Sequence, residues 1–324
     1  MDMITNDQGH DTGNEAVAHT KDVPIQEPAM NIWSTKYRLT DGNRNPVDAD
    51  ISEMRARVAD ALVRDEPETS REAIREEFIW ALESGATPAG RILANAGAEA
   101  YKPETSLINC TVSQHVEDSM RSILDGVYQA GLTLKSGAGI GYEFSLLRPN
   151  TAPVSGAGAE TSGPLPFMDI YDSACKTVSS AGGRRGAQMA TFDVGHPDVE
   201  DFISAKREKG RFTQFNVSVM NSDAFMEALK KDEDWALAFP LLPNENMEDH
   251  DIVWRDWPVI EDGYTVNDEG LVACRVYRTV KARDLWNRVM KSTYDHAEPG
   301  NLFIDRINDE NNLWFAEVIR ATNP

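Results

Sequence analysis

The chain has 324 residues, of which 41% are hydrophobic and 8% aromatic, a composition typical of a folded globular protein. Its formal charge of −21 excludes a general nucleic-acid-binding surface, because phosphate binding needs clustered lysine and arginine. The longest apolar runs are far shorter than the ~20 residues that cross a bilayer. We therefore expect neither a nucleic acid nor a membrane as a partner, and any nucleotide must bind in a local pocket.

The N-terminus and the cysteines indicate the compartment. Residues 1–28 are polar and acidic, without the basic start and apolar run of a secretory signal, and we interpret them as a disordered tail. The three cysteines, Cys110, Cys175 and Cys274, are too widely spaced for a disulfide scaffold or a CxxC zinc site. At least one thiol stays unpaired, so we expect a cytoplasmic protein, and no metal site is predicted.

Two amphipathic helices are predicted before residue 100. Apolar residues recur at helical spacing through 51–63, and Asp50 and Glu53 are placed as a capping box. Thr69 begins the same capping pattern before a second helix, and Gly85 is placed to end it. The sequence thus predicts a small helical domain at the N-terminal end.

After Cys110 the pattern changes to helices that alternate with short strand-like runs, which is typical of an α/β fold. The predicted helices cover 118–134 and 166–181, with further ones beginning at Pro197 and surrounding Leu285, and the predicted strands cover 189–194 and 215–220. From 230 to 271 the chain is acidic and shows no sustained period, so only loops and short strands are predicted there.

Two motifs imitate known sites. The glycine run at 137–141 resembles a dinucleotide-binding fingerprint, but it follows a predicted helix rather than a strand. His196 and Asp198 lie among further carboxylates, and we interpret this stretch as the acidic first turn of a helix rather than as a metal site.

Nine segments, in the order of one family, carry a more specific signal than any single motif. They are ATPAGRILANAG, LINCTVSQ, EDSMRSI, KSGAGIGYEFSLLRP, SGPLPFMDIY, SAGGRRGAQMATFDVGHPDVEDFI, FNVSV, EPGNLFIDRIN and ATNP. Across roughly 31–324 the sequence resembles the large chain of ribonucleotide reductases. The PAGRIL and GGRRGAQMA segments resemble class II, the adenosylcobalamin-dependent class. Class I, in which a second metalloprotein subunit delivers the radical, remains the alternative.

The resemblance implies an α/β fold, with an N-terminal helical domain at 29–100 and the first half of a ten-stranded α/β barrel at 101–324. In the family, the residue after the Asn-Pro pair is the cysteine that carries the radical, so we expect this chain to stop one residue before it. A noncatalytic nucleotide-binding fragment, such as the part of an enzyme that precedes an intein, is therefore a further alternative.

The resemblance also implies roles for residues around the substrate. Cys110, in the NC motif, would be one of the two thiols whose oxidation to a disulfide reduces the ribose. Thr87 would help to hold the substrate phosphate, Asn109 would line the ribose, and Asn323 would hydrogen-bond it during catalysis. For Cys110 the alternative is a buried structural cysteine.

A second set of residues is implied for an allosteric effector. Asp118 would accept a hydrogen bond from the sugar of a deoxynucleoside triphosphate, and Arg148 would contact its phosphates. Gly183, Arg184 and Arg185 match the loop that connects the effector and substrate sites. The alternative for Asp118 is a helix N-cap.

The partners follow from the same resemblance. They are a ribonucleotide substrate, the effector nucleotide, a thioredoxin-like or other dithiol reductant, and the C-terminal half of the same enzyme. Adenosylcobalamin is the implied cofactor, a homodimer is compatible with the resemblance, and the product would supply DNA synthesis.

Overall fold

The computed structural model describes residues 25–103, 105–154, 158–178, 186–243, 245–260 and 263–324. Two compact units divide between Tyr101 and Lys102. No helix in these ranges is both long and apolar enough to cross a membrane.

The first unit is helical. Its helices are α1 (Glu27–Ile32), which runs into one π-helical turn (Trp33–Tyr37), α2 (Ile51–Leu62), α3 (Glu68–Glu83) and α4 (Gly90–Asn95). A small core of Val58, Leu82 and Ala96 holds α2, α3 and the end of α4 together.

The ends of these helices test the predicted caps. Asp50 caps α2 by accepting a hydrogen bond from the Glu53 amide at 2.9 Å, which confirms the first cap. The cap predicted at Thr69 is wrong, because α3 begins at Glu68, two residues before the start that this cap implies, and its N-cap Pro67 makes no side-chain hydrogen bond. Proline fixes a φ that suits a helix start and displaces the boundary. Gly85, at φ +104°, ends α3 as predicted.

The second unit is built on a parallel sheet. Its strands are β1 (Cys110–Val112), β2 (Gly139–Glu143), β5 (Gln188–Asp193), β6 (Phe215–Asn221) and β10 (Gly300–Phe303), in the order β1-β2-β5-β6-β10. A short hairpin of β3 (Pro153–Val154) and β4 (Ala159–Glu160) follows β2. The helices are α5 (Met120–Ser136), α6 (Pro164–Thr177), α7 (Val199–Ser204), α8 (Asp223–Lys231), α9 (Ala282–His296) and α10 (Ile304–Asp309). The predicted α/β class is confirmed, and the described strands form an open sheet rather than a closed barrel.

Strand register divides the side chains of this sheet between two faces. Successive residues of a strand point to opposite faces, so Tyr142 and Phe192 lie on one face, where they pack among helical side chains. Cys110, Gly139 and Thr191 lie on the other face. That second face, called the inner face below, carries the candidate site.

A second sheet is antiparallel, and two of its three strands lie in the stretch 230–271, for which only loops and short strands were predicted. Its strands are β7 (Asp234–Pro240), β8 (Ile252–Arg255) and β9 (Val272–Lys281), in the order β7-β9-β8. The loops and short strands predicted for 230–271 are thus confirmed by β7 and β8, and the longer strand β9 lies after this stretch. The Arg255 guanidinium fixes this sheet by donating to the Gly195 carbonyl at 3.2 Å and stacking 4.9 Å from the Trp235 ring centre.

Most other predicted elements of this unit are confirmed. β5 and β6 lie within one residue of their predicted limits, and the predicted helices near Pro197 and Leu285 correspond to α7 and α9. α6 begins two residues earlier than predicted because Pro164 occupies its first position. The predicted end at residue 181 is wrong, because α6 ends at Thr177 and Val178 is extended; Gly182 and Gly183, predicted to stop the helix, lie outside the described residues.

Candidate active site

The inner face of β2 is covered by the backbone of residues 322–324. A side chain built on Gly141 would place its Cβ 1.8 Å from the Thr322 carbonyl oxygen, and one built on Gly139 would place its Cβ 2.7 Å from Pro324 Cγ. Only glycine leaves room for the Thr322 backbone over Gly141 and for the Pro324 ring over Gly139. The glycine run is therefore not a dinucleotide turn: Gly137 ends α5, and the two later glycines form a surface for the C-terminal segment.

Cys110 lies at the edge of this contact. Its Sγ is 3.4 Å from the Pro324 carbonyl oxygen, to which the thiol can donate. The neighbouring Asn109 carbonyl accepts from the Gly139 amide at 2.8 Å and so fixes the start of β1 against β2. Asn323 is exposed above Gly141. The structure thus brings Asn109, Cys110 and Asn323 together at one end of the inner face.

The three thiols differ in their surroundings. Cys175 and Cys274 are buried in apolar clusters, and burial raises their pKa to about 11 and about 12. Cys110 is half-buried at the surface of the inner face. Because a reactive thiol must be accessible, Cys110 is the cysteine best placed for chemistry.

An ion cluster surrounds Arg320, two residues before the stretch 322–324. Arg320 contacts Glu143 with Nη2 to Oε1 at 2.8 Å and Nε to Oε2 at 3.3 Å, and its Nη2 is 3.5 Å from Asp193 Oδ2. Burial by itself lowers the pKa of Arg320, but the two carboxylates outweigh burial and hold that pKa above its usual value. Sequence reasoning missed this cluster. The signal was a carboxylate in the run GIGYEF on the same strand face as the glycines.

A cavity of about 1190 Å³ lies beside the segment. It is lined by residues between Val112 and Gln129 on one side and by residues between Ala316 and Asn323 on the other. His115, Glu143 and Arg320 contribute polar groups to its wall. The cavity is large enough for a nucleotide-sized molecule.

The two predicted effector residues are paired with each other. Arg148 donates from Nε to Asp118 Oδ2 at 2.7 Å and from its backbone amide to Oδ1 at 3.1 Å, and the Asp118 side chain is 9% exposed. The alternative that Asp118 caps α5 is wrong, because Ser119 is the cap and accepts from the Ser122 amide at 3.1 Å. Gly183, Arg184 and Arg185, predicted for the same site, lie outside the described residues.

Thr87 belongs to the helical unit and is exposed. Its hydroxyl donates to the Gly85 carbonyl at 3.2 Å, across the turn that ends α3. The side chain therefore has a local structural contact in addition to the substrate contact predicted for it.

His196, in the acidic stretch that was not interpreted as a metal site, is buried, and both of its ring nitrogens are hydrogen-bonded. Its Nε2 donates to the Leu147 carbonyl at 2.9 Å, and its Nδ1 accepts from the Asp198 amide at 3.0 Å. Burial lowers the pKa of the imidazole to about 4, so the ring is neutral at pH 7. Burial likewise raises the pKa of Asp198 to about 6.

Comparison with known proteins identifies the chain. Residues 26–100 match the family model described as ribonucleotide reductase, all-alpha domain, and residues 108–324 match the model described as ribonucleotide reductase, barrel domain. A vitamin B12-dependent ribonucleoside-diphosphate reductase of Mycobacterium tuberculosis is 32% identical over 301 residues, which cover 91% of this chain and 38% of that protein. A protein of the same name from Thermoplasma acidophilum is 29% identical over 64% of this chain and 23% of its own length.

A relative with a different name matches over more of the chain. The ribonucleoside-diphosphate reductase subunit alpha of Helicobacter pylori is 26% identical over 96% of this chain and 38% of that protein. The chain thus spans less than two-fifths of the length of these relatives. Because a family model matches residues 108–324, well over half of the chain, the protein belongs to the ribonucleotide reductase family.

Proposed function

We propose that the protein acts in the reduction of ribonucleoside diphosphates to 2′-deoxyribonucleoside diphosphates. The observation that carries the proposal is the Cys110 thiol on the inner face, 3.4 Å from the Pro324 carbonyl and beside Asn323. The relatives named above as ribonucleoside-diphosphate reductases support the choice of a diphosphate.

The net reaction replaces the 2′-hydroxyl with hydrogen and releases water. Its two electrons come from two thiols, which become a disulfide as their protons pass to the leaving hydroxyl and to the ribose. Cys110 would be one thiol, and we assign the second to the part of the relatives' length that this chain does not span. A thioredoxin-like dithiol would then reduce the disulfide.

The other predicted residues would hold the substrate. Asn109 precedes Cys110 in the chain and Asn323 precedes Pro324, whose carbonyl contacts the Cys110 thiol, so we propose that their amides bind ribose hydroxyl groups beside that thiol. Thr87 would contribute its hydroxyl to the phosphates. In the family, the cysteine that follows the Asn-Pro pair carries a thiyl radical. In this proposal that radical would abstract the 3′ hydrogen atom of the ribose and return it after the 2′ position has been reduced.

The effector would bind at Asp118 and Arg148. Their ion pair orients the guanidinium fork before any ligand arrives, which suits the recognition of a phosphate. Gly183, Arg184 and Arg185 would carry the response to the substrate site. We propose a homodimer in the cytoplasm as the working form.

The names of two relatives support dependence on adenosylcobalamin, which supplies a radical by cleavage of its cobalt–carbon bond. Class I remains the second candidate, because the name of the Helicobacter pylori relative, subunit alpha, indicates an enzyme of more than one kind of subunit.

A reductase assay of the complete protein tests the proposal. We expect deoxyribonucleoside diphosphate to form with a dithiol and adenosylcobalamin alone. Activity that requires an added metalloprotein subunit instead would assign the protein to class I. If nucleotide binds under both conditions without reduction, the protein is a noncatalytic nucleotide-binding chain.

A further inference from the structure

The segment of residues 319–324 is held at its start by side chains of the surrounding fold. The Asn308 amide brackets Ile319: its Nδ2 donates to the Ile319 carbonyl at 2.9 Å, and its Oδ1 accepts from the Ile319 amide at 2.7 Å. The Thr191 hydroxyl donates to the Arg320 carbonyl at 3.0 Å. The start of the segment is therefore fixed at backbone level.

The Arg320 side chain extends this attachment into the sheet. Its guanidinium makes a two-point contact with Glu143, whose side chain is only 1% exposed, at the end of β2. The Ser145 hydroxyl donates to the same carboxylate at 2.8 Å, and His115 Nδ1 lies 3.9 Å from it. A buried ion pair contributes little net stability, but it strongly favours one geometry, because any other arrangement leaves a charge unpaired.

Among the described residues, the far end of the segment has one weak side-chain contact, from the Cys110 thiol to the Pro324 carbonyl at 3.4 Å, and no ion pair like that of Arg320. Thr322 and Pro324 lie against Gly141 and Gly139, which offer only backbone, and the Asn323 amide reaches no further than the Pro324 carbonyl at 3.4 Å. The position of these residues beside Cys110 therefore depends on how firmly the start of the segment is held.

We propose that Arg320 is a positioning residue, whose ion pair with Glu143 holds residues 322–324 against the glycines of β2 and beside the Cys110 thiol. The inference rests on the proposed function for its catalytic meaning, since Cys110 and Asn323 are the groups that it would align. The partners that the structure gives the Arg320 guanidinium are the carboxylates of Glu143 and Asp193, so we assign it a role in placing the segment rather than in the chemistry of the thiol.

The test measures how accessible Cys110 is when the ion pair is removed. Arg320→Gln removes the charge, and Arg320→Lys keeps the charge but cannot make the two-point contact. The double variant Glu143→Gln with Arg320→Gln removes both charges of the buried pair and leaves only Asp193, whose side chain is 23% exposed, so a protein that cannot tolerate an unpaired Glu143 is still tested. Arg306→Gln, in an exposed ion pair with Asp223, is the matched control.

A glycine pair calibrates the measurement. Gly141→Ala pushes the segment off the strand directly, because the new Cβ would collide with the Thr322 carbonyl. Gly131→Ala is its control, since a Cβ there meets no atom within 4 Å.

The readout is the rate at which iodoacetamide alkylates Cys110 in the folded full-length protein, followed by mass spectrometry of the peptide that contains it. We expect Arg320→Gln, the double variant and Gly141→Ala to raise the alkylation rate about tenfold. This corresponds to a loss of about 1.4 kcal/mol in the free energy that holds the segment over Cys110. Arg320→Lys should lie between these and the wild type, and both controls should match the wild type.

The sign of the change in alkylation rate distinguishes greater exposure of Cys110 from the electrostatic effect of losing the Arg320 charge. Loss of a cation would raise the pKa of a nearby thiol and slow its alkylation, so a faster reaction reports exposure. Wild-type rates in both Arg320→Gln and the double variant, with Gly141→Ala accelerated, would overturn the inference.

Turnover provides the second readout. In an active enzyme, Arg320→Gln should lower kcat more than it raises KM, and Arg320→Lys should restore part of kcat. If the wild-type protein reduces no nucleotide while the alkylation pattern holds, the proposed function fails and the positioning role of Arg320 stands. If turnover is normal in Arg320→Gln, the positioning role fails and the reductase remains.

Discussion

At the scale of single residues, Cys110 is defined by contrast with the other two cysteines. All three are free thiols, but Cys175 and Cys274 lie in apolar clusters with raised pKa values, whereas Cys110 faces the C-terminal segment. The residue type alone does not distinguish them. The difference comes from position in the fold.

Cys110→Ser should abolish sustained turnover with a dithiol reductant, because a serine hydroxyl cannot form the disulfide that stores two electrons. The measurement is steady-state formation of deoxyribonucleotide by the complete enzyme. Cys175→Ala, a change at a buried thiol, is the control and should retain turnover. Normal steady-state turnover in Cys110→Ser would leave Cys110 with a structural role only.

Asp118→Asn and Arg148→Ala should weaken binding of a deoxynucleoside triphosphate effector. Loss of one charge-assisted hydrogen bond costs about 1.5–3 kcal/mol, or roughly ten- to hundredfold in Kd. Effector titration by calorimetry measures the change, with Arg64→Ala, in an exposed ion pair with Glu99, as the control. Unchanged titrations in both variants would place the effector elsewhere.

At the scale of elements, helix ends show how far local rules reach. Asp50 caps α2, whereas Thr69 lies inside α3 because Pro67 sets the start. Asp50→Ala should therefore lower the free energy of unfolding of the helical unit by about 1 kcal/mol. Thr69→Ala should change it by only a few tenths. Chemical denaturation measures both, and equal losses would contradict this assignment of the caps.

The turn between β5 and α7 predicts a pH dependence. In the fold the pKa of His196 is about 4, below its unfolded value of 6.5, so this group destabilises the fold as pH falls from 6.5 towards 4. The pKa of Asp198 is about 6, above its unfolded value of 3.8, so this group stabilises the fold over nearly the same fall. The two contributions, each on the order of 3 kcal/mol, largely cancel.

Replacing either His196 or Asp198 should reveal the pH dependence of stability that the remaining group contributes. Asp198→Asn should lose stability, relative to the wild type, as pH falls from 6 to 4, and His196→Gln should gain it. Urea unfolding across this range measures the difference, with a limiting slope of about 1.4 kcal/mol per pH unit. If the free energy of unfolding changes with pH in the same way in both variants, the pKa values of His196 and Asp198 are not shifted as described.

At the scale of the whole molecule, the charge of −21 sets a background that every anionic ligand must overcome. Repulsion among like charges opposes the compact state and is screened by salt. The Tm of the protein should therefore rise as NaCl increases from about 20 to about 150 mM, where the Debye length falls to about 8 Å. Sucrose at matched osmolarity is the control, and a Tm that falls with salt would indicate that specific ion pairs outweigh the net charge.

The sequence by itself determined the features that depend on neighbours in the chain. Among them are the α/β class, the Asp50 cap, the end of α3 at Gly85 and the limits of β5 and β6, because capping, turn conformation and apolar periodicity act over a few residues. The family segments located Cys110 and Asn323 in the sequence but did not give their separation or surroundings.

Only the tertiary structure decided the contacts between distant parts of the chain. The Glu143–Arg320 ion pair and the contact of Cys110 with Pro324 join residues 177 and 214 positions apart. Gly141 shows why such contacts escape prediction: its need for a bare backbone exists only once Thr322 lies on it. Short strands were predicted in this region, but the pairing of β7, β9 and β8 was not, since it depends on cross-strand partners rather than on a local pattern.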